Sequence, residues 1–163
     1  MSEIEQFSAA GGCTCGTVRY RMTRTPLIVH CCHCRWCQRE TGSAFVLNAL
    51  IESAHLARLA GEPRIVPTPS ESGKGQSVAR CPRCQVAVWS HYAGLGQILS
   101  FVRVGTLDEP DRWPPDVHIY TESKQPWVQI PSGARAFGQY YKSAEVWSAG
   151  SLARRQALLA QRA

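Results

Sequence analysis

Long hydrophobic runs are absent from this sequence. Its most apolar stretch, AFVLNALI at positions 44–51, is far too short to span a bilayer, which needs about 20 apolar residues. The first residues also lack the charged segment followed by an apolar one that marks a secretory signal peptide. We therefore expect a soluble, cytoplasmic protein that does not enter a membrane, in which thiols stay reduced and available to a metal.

Aromatic residues are few, and Lys and Arg form no long run. Aromatic side chains make up 9% of the chain, and they do not alternate with basic residues as they would in a stacking site for single-stranded nucleic acid. The net charge is +6 with every cysteine neutral. The charge suits a small anionic ligand as well as a nucleic acid, so nucleic acid is not the favoured partner.

Short apolar segments separated by turn residues predict a mainly β fold. With 163 residues and 44% hydrophobic content, the chain can bury one core, so residues 1–163 are expected to form a single domain. Apolar positions among helix formers predict a short C-terminal helix over about residues 151–161, and TPSESGKG at 68–75 predicts an exposed loop. The predicted strands are 17–22, 27–31, 45–51, 76–81, 86–92, 97–107 and 127–130.

Cysteine, by contrast, is abundant and grouped. Cysteines one or two residues apart are poor disulfide partners but good pairs of metal ligands, because a turn can point both sulfurs at one ion about 2.3 Å away. Zinc is therefore the expected cofactor. The three groups are Cys13 and Cys15; Cys31, Cys32, Cys34 and Cys37; and Cys81 and Cys84.

The spacing permits two ways of pairing these groups. A zinc ribbon would join the two C-x-x-C turns that begin at Cys34 and Cys81 into one four-sulfur site, leaving the other cysteines unused. The alternative, which we favour, joins Cys13 and Cys15 to the turn at Cys81 as a closed structural site. It leaves the C-x-C-x-x-C segment at 32–37 for a second zinc with an open fourth position, which is typical of a catalytic zinc.

Three thiolates on one zinc restrict the chemistry of such a site. Their electron donation weakens the ion as a Lewis acid, so hydrolysis is disfavoured. The site is better suited to holding an added thiol as a thiolate at neutral pH, although a free thiol has a pKa near 8.5. The residues alone therefore indicate a zinc site that activates an exogenous thiol.

A family resemblance supports this interpretation. The ordered motifs GGCTCGTVRY, CHCRWCQRETGSAF, RCPRCQVAVWS, VGTLDEP and HIYTESKQPW resemble the glutathione-dependent formaldehyde-activating enzyme family, whose domain is shared with centromere protein V. The resemblance covers about residues 10–130. It implies meandering antiparallel sheets around a structural zinc. It also implies carbon–sulfur lyase chemistry, in which glutathione and formaldehyde combine reversibly to S-(hydroxymethyl)glutathione.

The resemblance also implies a role for seven of the cysteines. Two zinc ions per chain are implied, one structural and one catalytic, with a glutathione-like thiol attacking formaldehyde at the catalytic ion. The sequence departs from the family at Gln85, where Gly is usual and the turn often needs a left-handed backbone conformation. The implied structural ligands are Cys13, Cys15, Cys81 and Cys84, and the implied catalytic ligands are Cys32, Cys34 and Cys37.

Other polar residues near these motifs have less certain roles. We expect Cys31 to be a small buried side chain on the strand face opposite Cys32; alternatively it closes the open zinc position. His33 is expected to be a spacer or a donor to a ligand, and His118 to fold back toward the site. Polar residues around the catalytic turn either contact a carboxylate of the substrate or belong to a solvated loop: Arg35, Gln38, Arg39, Thr41 and Ser43.

A non-enzymatic function is the alternative. The chain would then be a zinc-stabilised binding module, with nucleic acid as the candidate partner that a resemblance to centromere protein V suggests. Arg154, Arg155 and Arg162 do make the predicted C-terminal helix basic, but basic residues elsewhere are dispersed. The dispersed charge favours the enzyme.

Overall fold

The computed structural model describes residues 7–161, which contain ten strands and three helices. Within that range, no helix combines the length and the apolar character needed to cross a bilayer. The strands are β1 Ala9–Gly12, β2 Arg19–Met22, β3 Ile28–Cys32, β4 Val46–Glu52, β5 Leu56–Ala60, β6 Arg64–Thr68, β7 Gln76–Arg80, β8 Ala87–Tyr92, β9 Leu99–Arg103 and β10 Val117–Ile119. The helices are α1 Arg35–Thr41, α2 Ser143–Val146 and α3 Ala149–Ala160.

The strands form two sheets, which confirms the mainly β prediction. The larger sheet has the order β10-β3-β4-β9-β8-β7-β6, and β6 to β9 form an antiparallel meander. The smaller sheet has the order β1-β2-β5 and is antiparallel. One pair departs from the expected antiparallel pattern, since β10 lies parallel to β3. Residues 104–116, a series of short turns, form a connection long enough for this parallel return.

The central strands of the larger sheet are buried on both faces. In β4, Ile51 belongs to a core shared with Tyr20 of the smaller sheet. Its neighbour Leu50 points to the opposite face and packs in a second core with Trp147, near the C-terminus. Side chains alternate along a strand, so one strand contributes to both layers. The smaller sheet and the C-terminal segment thus cover opposite faces of the larger one.

Several local predictions are wrong. Residues 127–130 are irregular after a turn at 126–127 and do not form a strand, because the prolines at 126 and 131 leave little chain for ladder hydrogen bonds. The strand predicted over 97–107 is confined to β9 and is flanked by single turns of 3-10 helix. The strands β1, β5, β6 and β10 were not predicted, since they are short and carry little alternation. Helix α1 was also missed, because its seven residues, RWCQRET, show no apolar periodicity.

Helix α3 confirms the predicted C-terminal helix and begins two residues earlier than expected. Ser148 caps it, since its hydroxyl accepts a hydrogen bond of 3.1 Å from the backbone N–H of Ser151. The Ser151 hydroxyl in turn donates to the carbonyl oxygen of Leu27 at 2.7 Å. Arg154 forms two hydrogen bonds with the carboxylate of Glu52, at 2.8 and 2.5 Å, and both side chains are largely buried. These contacts fix α3 against the larger sheet.

We predict that Arg154→Ala lowers the free energy of unfolding by about 2 kcal/mol, because it leaves the Glu52 carboxylate buried with only a distant partner. Arg155→Ala is the matched control on the same helix and should change stability by less than about 0.5 kcal/mol. Chemical denaturation at a fixed zinc concentration measures both. Equal effects of the two substitutions would show that the Arg154–Glu52 pair does not anchor the helix.

Candidate functional site

Four of the cysteines come together between the two sheets. Cys13 and Cys15 lie in the turn after β1, and Cys81 and Cys84 lie in the turn after β7. All four sulfurs lie within 4.8 Å of one another, and Cys15 Sγ is 3.6 Å from the sulfurs of both Cys13 and Cys81. A disulfide would need about 2.05 Å, whereas the edge of a tetrahedron of sulfurs around zinc is about 3.8 Å. The four sulfurs therefore fit a tetrahedral zinc ion.

The two turns that carry these cysteines have similar hydrogen bonding. In the first turn, the backbone N–H of Val18 donates to Cys13 Sγ at 3.2 Å. In the second turn, the N–H groups of Arg83 and Cys84 donate to Cys81 Sγ at 3.4 and 3.5 Å. Donors directed at a sulfur stabilise its negative charge. The two turns thus direct backbone donors at two of the four sulfurs.

Hydrogen bonding also favours the ionised form of Cys15. Hydrogen bonds with the hydroxyl and the backbone of Thr17 lower the pKa of Cys15 to about 6. The Thr17 contacts thus favour the thiolate form of Cys15, which is the form that binds a metal.

Gln85 has the left-handed backbone conformation that its turn requires. Its φ is 64°, one of two positive values outside glycine among the described residues. The Gln85 N–H donates to the carbonyl oxygen of Cys81 at 3.0 Å, which closes the turn, and the side chain donates to the carbonyl oxygen of Pro82 at 3.0 Å. The sequence-based expectation of a left-handed residue at this position is confirmed.

Three further cysteines meet at the start of α1. Cys32 ends β3, Cys34 caps the helix, and Cys37 lies one turn into it. Their sulfurs lie within 4.8 Å of one another, and all three side chains are buried. The backbone N–H of Cys37 donates to Cys34 Sγ at 3.3 Å. Hydrogen bonds with the thiols of Cys32 and Cys37 hold the pKa of Cys34 well below its usual range. The structure therefore brings together the three residues that were expected to form the second site.

A cavity of about 400 Å³ adjoins these three cysteines. Its size is in the range of small-molecule sites. All three cysteines contribute to its lining, and most of the remaining wall is aromatic or aliphatic. The sequence indicated none of the other lining residues, because they come from separate strands and loops: His30, Trp36, Asn48, Ser70, Glu71, Ser72, Lys74, Gln76, Tyr92, Gly94, Leu95, Phe101, Ile119, Tyr120 and Tyr140.

Cys31 belongs to a different group from Cys32. It pairs with His118 in the register of β3 and β10, and its sulfur lies 3.4 Å from His33 Nε2. The same nitrogen lies 3.0 Å from His118 Nδ1, and all three side chains are buried. His118 thus folds back toward the turn at residues 32–37, as expected, through its contact with His33. Cys31 faces this histidine pair and does not join the three-cysteine group, so the alternative in which it closes the open position is not supported.

The polar residues of α1 lie outside the cavity. Arg35, Gln38 and Arg39 line a separate surface depression with Ser43 and Trp127. Gln38 has a structural role, since its amide donates to the carbonyl oxygens of His33 and Ser123 at 2.7 and 3.1 Å. The sequence left open whether these side chains contact a substrate or belong to a solvated loop. The structure places Arg35, Gln38, Arg39 and Ser43 outside the cavity that adjoins the three cysteines.

A buried ion network connects the two cysteine groups. Glu40, at the end of α1, accepts a hydrogen bond of 2.5 Å from Arg80, which directly precedes Cys81. Its second oxygen accepts from Arg103 of β9 at 3.0 Å, and Arg103 also donates to Asn48. The Glu40 side chain is only 4% exposed. The helix that carries Cys37 is thereby fixed to the strand that leads into the four-cysteine group.

Comparison with known proteins identifies the family. The sequence matches the glutathione-dependent formaldehyde-activating enzyme family over residues 8–123. The chain belongs to this family. A crystal structure of a Rhodobacter sphaeroides protein is similar at 16% sequence identity, covering 61% of this chain and 87% of the other, with a TM-score of 0.44. None of the curated proteins matches the sequence.

We predict that Gln85→Gly raises the free energy of unfolding of the zinc-loaded protein by about 0.5–1 kcal/mol, because glycine adopts a positive φ without strain. Arg83→Gly, in the same turn but at a residue without a positive φ, should instead lower stability by a similar amount. Thermal and chemical denaturation of both variants check this. A loss of stability in Gln85→Gly equal to that in Arg83→Gly would contradict it.

Proposed function

We propose that this member of the family is a zinc-dependent carbon–sulfur lyase that adds a thiol reversibly to an aldehyde, as in the formation of S-(hydroxymethyl)glutathione. The observation that carries the proposal is the group of Cys32, Cys34 and Cys37 at the wall of an apolar cavity. Among the described residues, the group contains three metal-ligand atoms and not four. A site of this kind leaves room for a ligand from solution.

The donor set supports two zinc ions per chain with different roles. Cys13, Cys15, Cys81 and Cys84 supply four sulfurs and suit a closed structural ion. The three cysteines at the cavity suit a second ion which, when bound, stabilises an incoming thiol as its thiolate. Eight free cysteines favour a reducing compartment such as the cytoplasm.

The protein side chains around the cavity orient the reactants and limit the access of water. The tilted pair of Tyr92 and Phe101, with ring centroids 4.6 Å apart, forms an apolar wall. As sulfur bonds to the aldehyde carbon, the carbonyl oxygen gains negative charge and then a proton. Donors fixed beside that oxygen accelerate such a step.

Tyr120 is the residue that we assign to this oxygen. It lines the cavity and has a left-handed backbone with φ 55°, a conformation that costs a non-glycine residue energy and often marks a functional site. Burial raises the pKa of Tyr120 to about 12, so its hydroxyl keeps its proton at neutral pH. It can therefore donate a hydrogen bond to the developing oxyanion and protonate it.

We predict that Cys34→Ser lowers the zinc content from about two to about one per chain and leaves the fold intact, whereas Cys81→Ser abolishes folding, because a structural zinc supplies folding free energy. Cys31→Ala is the matched control on the neighbouring face of β3 and should retain both ions. Elemental analysis and circular dichroism measure the outcome. Equal loss of fold in Cys34→Ser and Cys81→Ser would contradict the division of roles.

We further predict that Tyr120→Phe lowers the rate of adduct formation by about 10-fold or more and leaves thiol affinity unchanged, since it removes the proton donor and keeps the ring. Exchange of ¹³C-formaldehyde with its thiol adduct, followed by NMR, gives the rate. Tyr140→Phe, on the same cavity, is the control and should retain the rate. Unchanged exchange in Tyr120→Phe would exclude Tyr120 as the donor, and a wild-type rate no faster than the uncatalysed one would refute the proposed reaction.

A further inference from the structure

His30 lies on the same wall of the cavity as the three-cysteine group. It precedes Cys32 by two residues in β3, so the two side chains point to the same face of the strand, about 6–7 Å apart along it. Both residues line the cavity, although His30 is only 2% exposed. The reaction described above gives His30 no role.

One ring nitrogen of His30 is occupied by a buried hydrogen-bond chain. Trp147 Nε1 lies 2.8 Å from the hydroxyl oxygen of Tyr141, and the same oxygen lies 2.5 Å from His30 Nε2. All three side chains are buried. Among the described residues, the Tyr141 hydroxyl forms hydrogen bonds with these two groups alone.

The direction of the protons in this chain follows from the donors present. An indole N–H can only donate, so the Tyr141 oxygen accepts from Trp147 and directs its own proton at His30 Nε2. His30 Nε2 is then an acceptor, and the neutral ring carries its proton on Nδ1. A proton on Nε2 would instead leave the buried Tyr141 hydroxyl without an acceptor, which costs free energy.

The Nδ1–H of His30 has no partner in the part of the chain that the structure describes. The fully enclosed polar side-chain atoms without a hydrogen bond are on His33, Gln76, Ser90 and Arg103, and His30 Nδ1 is not one of them. Since His30 lines the cavity, this N–H can be reached from there. A donor that is fixed in the wall of a cavity is suited to an acceptor on a ligand.

The support for this donor comes from the C-terminal segment. Tyr141 and Trp147 both follow residue 123, at which the match to the family ends. Tyr140 packs edge-on against the His30 ring, with centroids 5.9 Å apart, and stacks on Tyr141 with centroids 4.8 Å apart. The segment after the family domain thus orients a side chain inside the cavity of that domain.

We propose that His30 binds the thiol substrate by donating its Nδ1–H to a carbonyl oxygen on the body of the thiol, and that Tyr141 and Trp147 are positioning residues that fix the ring. This inference rests on the proposed function and specifies its substrate as a thiol that carries a carbonyl group, such as a cysteinyl amide. Tyr120 is assigned to the aldehyde oxygen. The spacing along β3 brings His30 near the body of a thiol whose sulfur lies at the three cysteines, within reach of a hydrogen bond of about 2.9 Å.

The tautomer of His30 can be observed directly. In zinc-loaded protein labelled with ¹⁵N-histidine, long-range ¹H–¹⁵N spectra distinguish the protonated ring nitrogen from the other one, and the signals lost in His30→Asn identify His30. We expect the proton on Nδ1 in the wild type and in Tyr140→Phe, and a shift toward Nε2 in Tyr141→Phe, which removes the donor to Nε2. A proton on Nε2 in the wild type would overturn the proposal.

Two variants of matched size separate recognition from packing. His30→Asn and His30→Leu both lose the acceptor for Tyr141, but only the asparagine amide offers a donor at the position of Nδ1. The probes are N-acetylcysteinamide, which carries carbonyl oxygens, and propane-1-thiol, which carries none. Each is titrated by calorimetry into the zinc-loaded protein with a phosphine reductant, and circular dichroism checks the fold.

We expect His30→Leu to weaken the binding of N-acetylcysteinamide by about fivefold or more, and His30→Asn by less than about twofold, because only the leucine variant lacks the donor. Propane-1-thiol should bind all three proteins equally. Equal losses in the two variants, with both thiols, would show that His30 only packs against the tyrosines and would overturn the proposal.

Turnover separates this inference from the reaction on which it rests. If His30 has the expected tautomer and the expected effect on thiol binding, but formaldehyde exchange is not accelerated, the proposed reaction fails and the role of His30 as a donor holds. If exchange is accelerated and His30→Leu binds N-acetylcysteinamide as the wild type does, the reaction holds and the role of His30 is wrong.

Discussion

The structure depends on the convergence of cysteine sulfurs from distant parts of the chain. Cys15 and Cys81 are 66 residues apart, yet their sulfurs approach to 3.6 Å. Four sulfurs at this spacing suit a metal ion, which would offset the repulsion among their thiolate forms. The turn after β1 belongs to the smaller sheet, and the turn after β7 to the larger one. The four-cysteine group therefore links the smaller sheet to the larger one. The larger sheet in turn carries the three-cysteine group.

The second cysteine group, Cys32, Cys34 and Cys37, is held in place by the larger sheet and by helix α1. Cys32 ends β3, the strand next to the edge strand β10 of the larger sheet, and Cys34 and Cys37 follow at the N-cap and in the first turn of α1. That helix is held by Glu40, whose carboxylate bonds to Arg80 next to the four-cysteine group and to Arg103 on β9. The Arg80–Glu40 ion pair thus joins the turn after β7 directly to the helix that carries Cys37. Under the proposed function, this support would hold three ligands in place for a second zinc ion.

The cysteine chemistry could be predicted from the sequence because the relevant residues are close together along the chain. The grouping of Cys32, Cys34 and Cys37 follows from their spacing, and the left-handed residue at Gln85 follows from the turn type. The cavity could not be predicted in the same way. Lys74 lies in a segment whose sequence is typical of a solvated loop, and Gln76 directly follows it. Tyr120 and Tyr140 line the cavity because β10 lies parallel to β3. Contacts of this kind depend on sheet order, which local patterns do not determine.

Helix α1 was missed for a related reason, since it is held by a cysteine cap and an ion pair and not by an apolar face.

The central claim is that one cysteine group is closed and the other is open to a thiol. Zinc K-edge X-ray absorption on the fully loaded protein, recorded before and after addition of a thiol under reducing conditions, tests this claim most directly. We predict a shell of sulfur neighbours at about 2.3 Å whose mean number per zinc rises when the thiol is added, with no loss of zinc. An unchanged number of sulfur neighbours at saturating thiol would contradict the account.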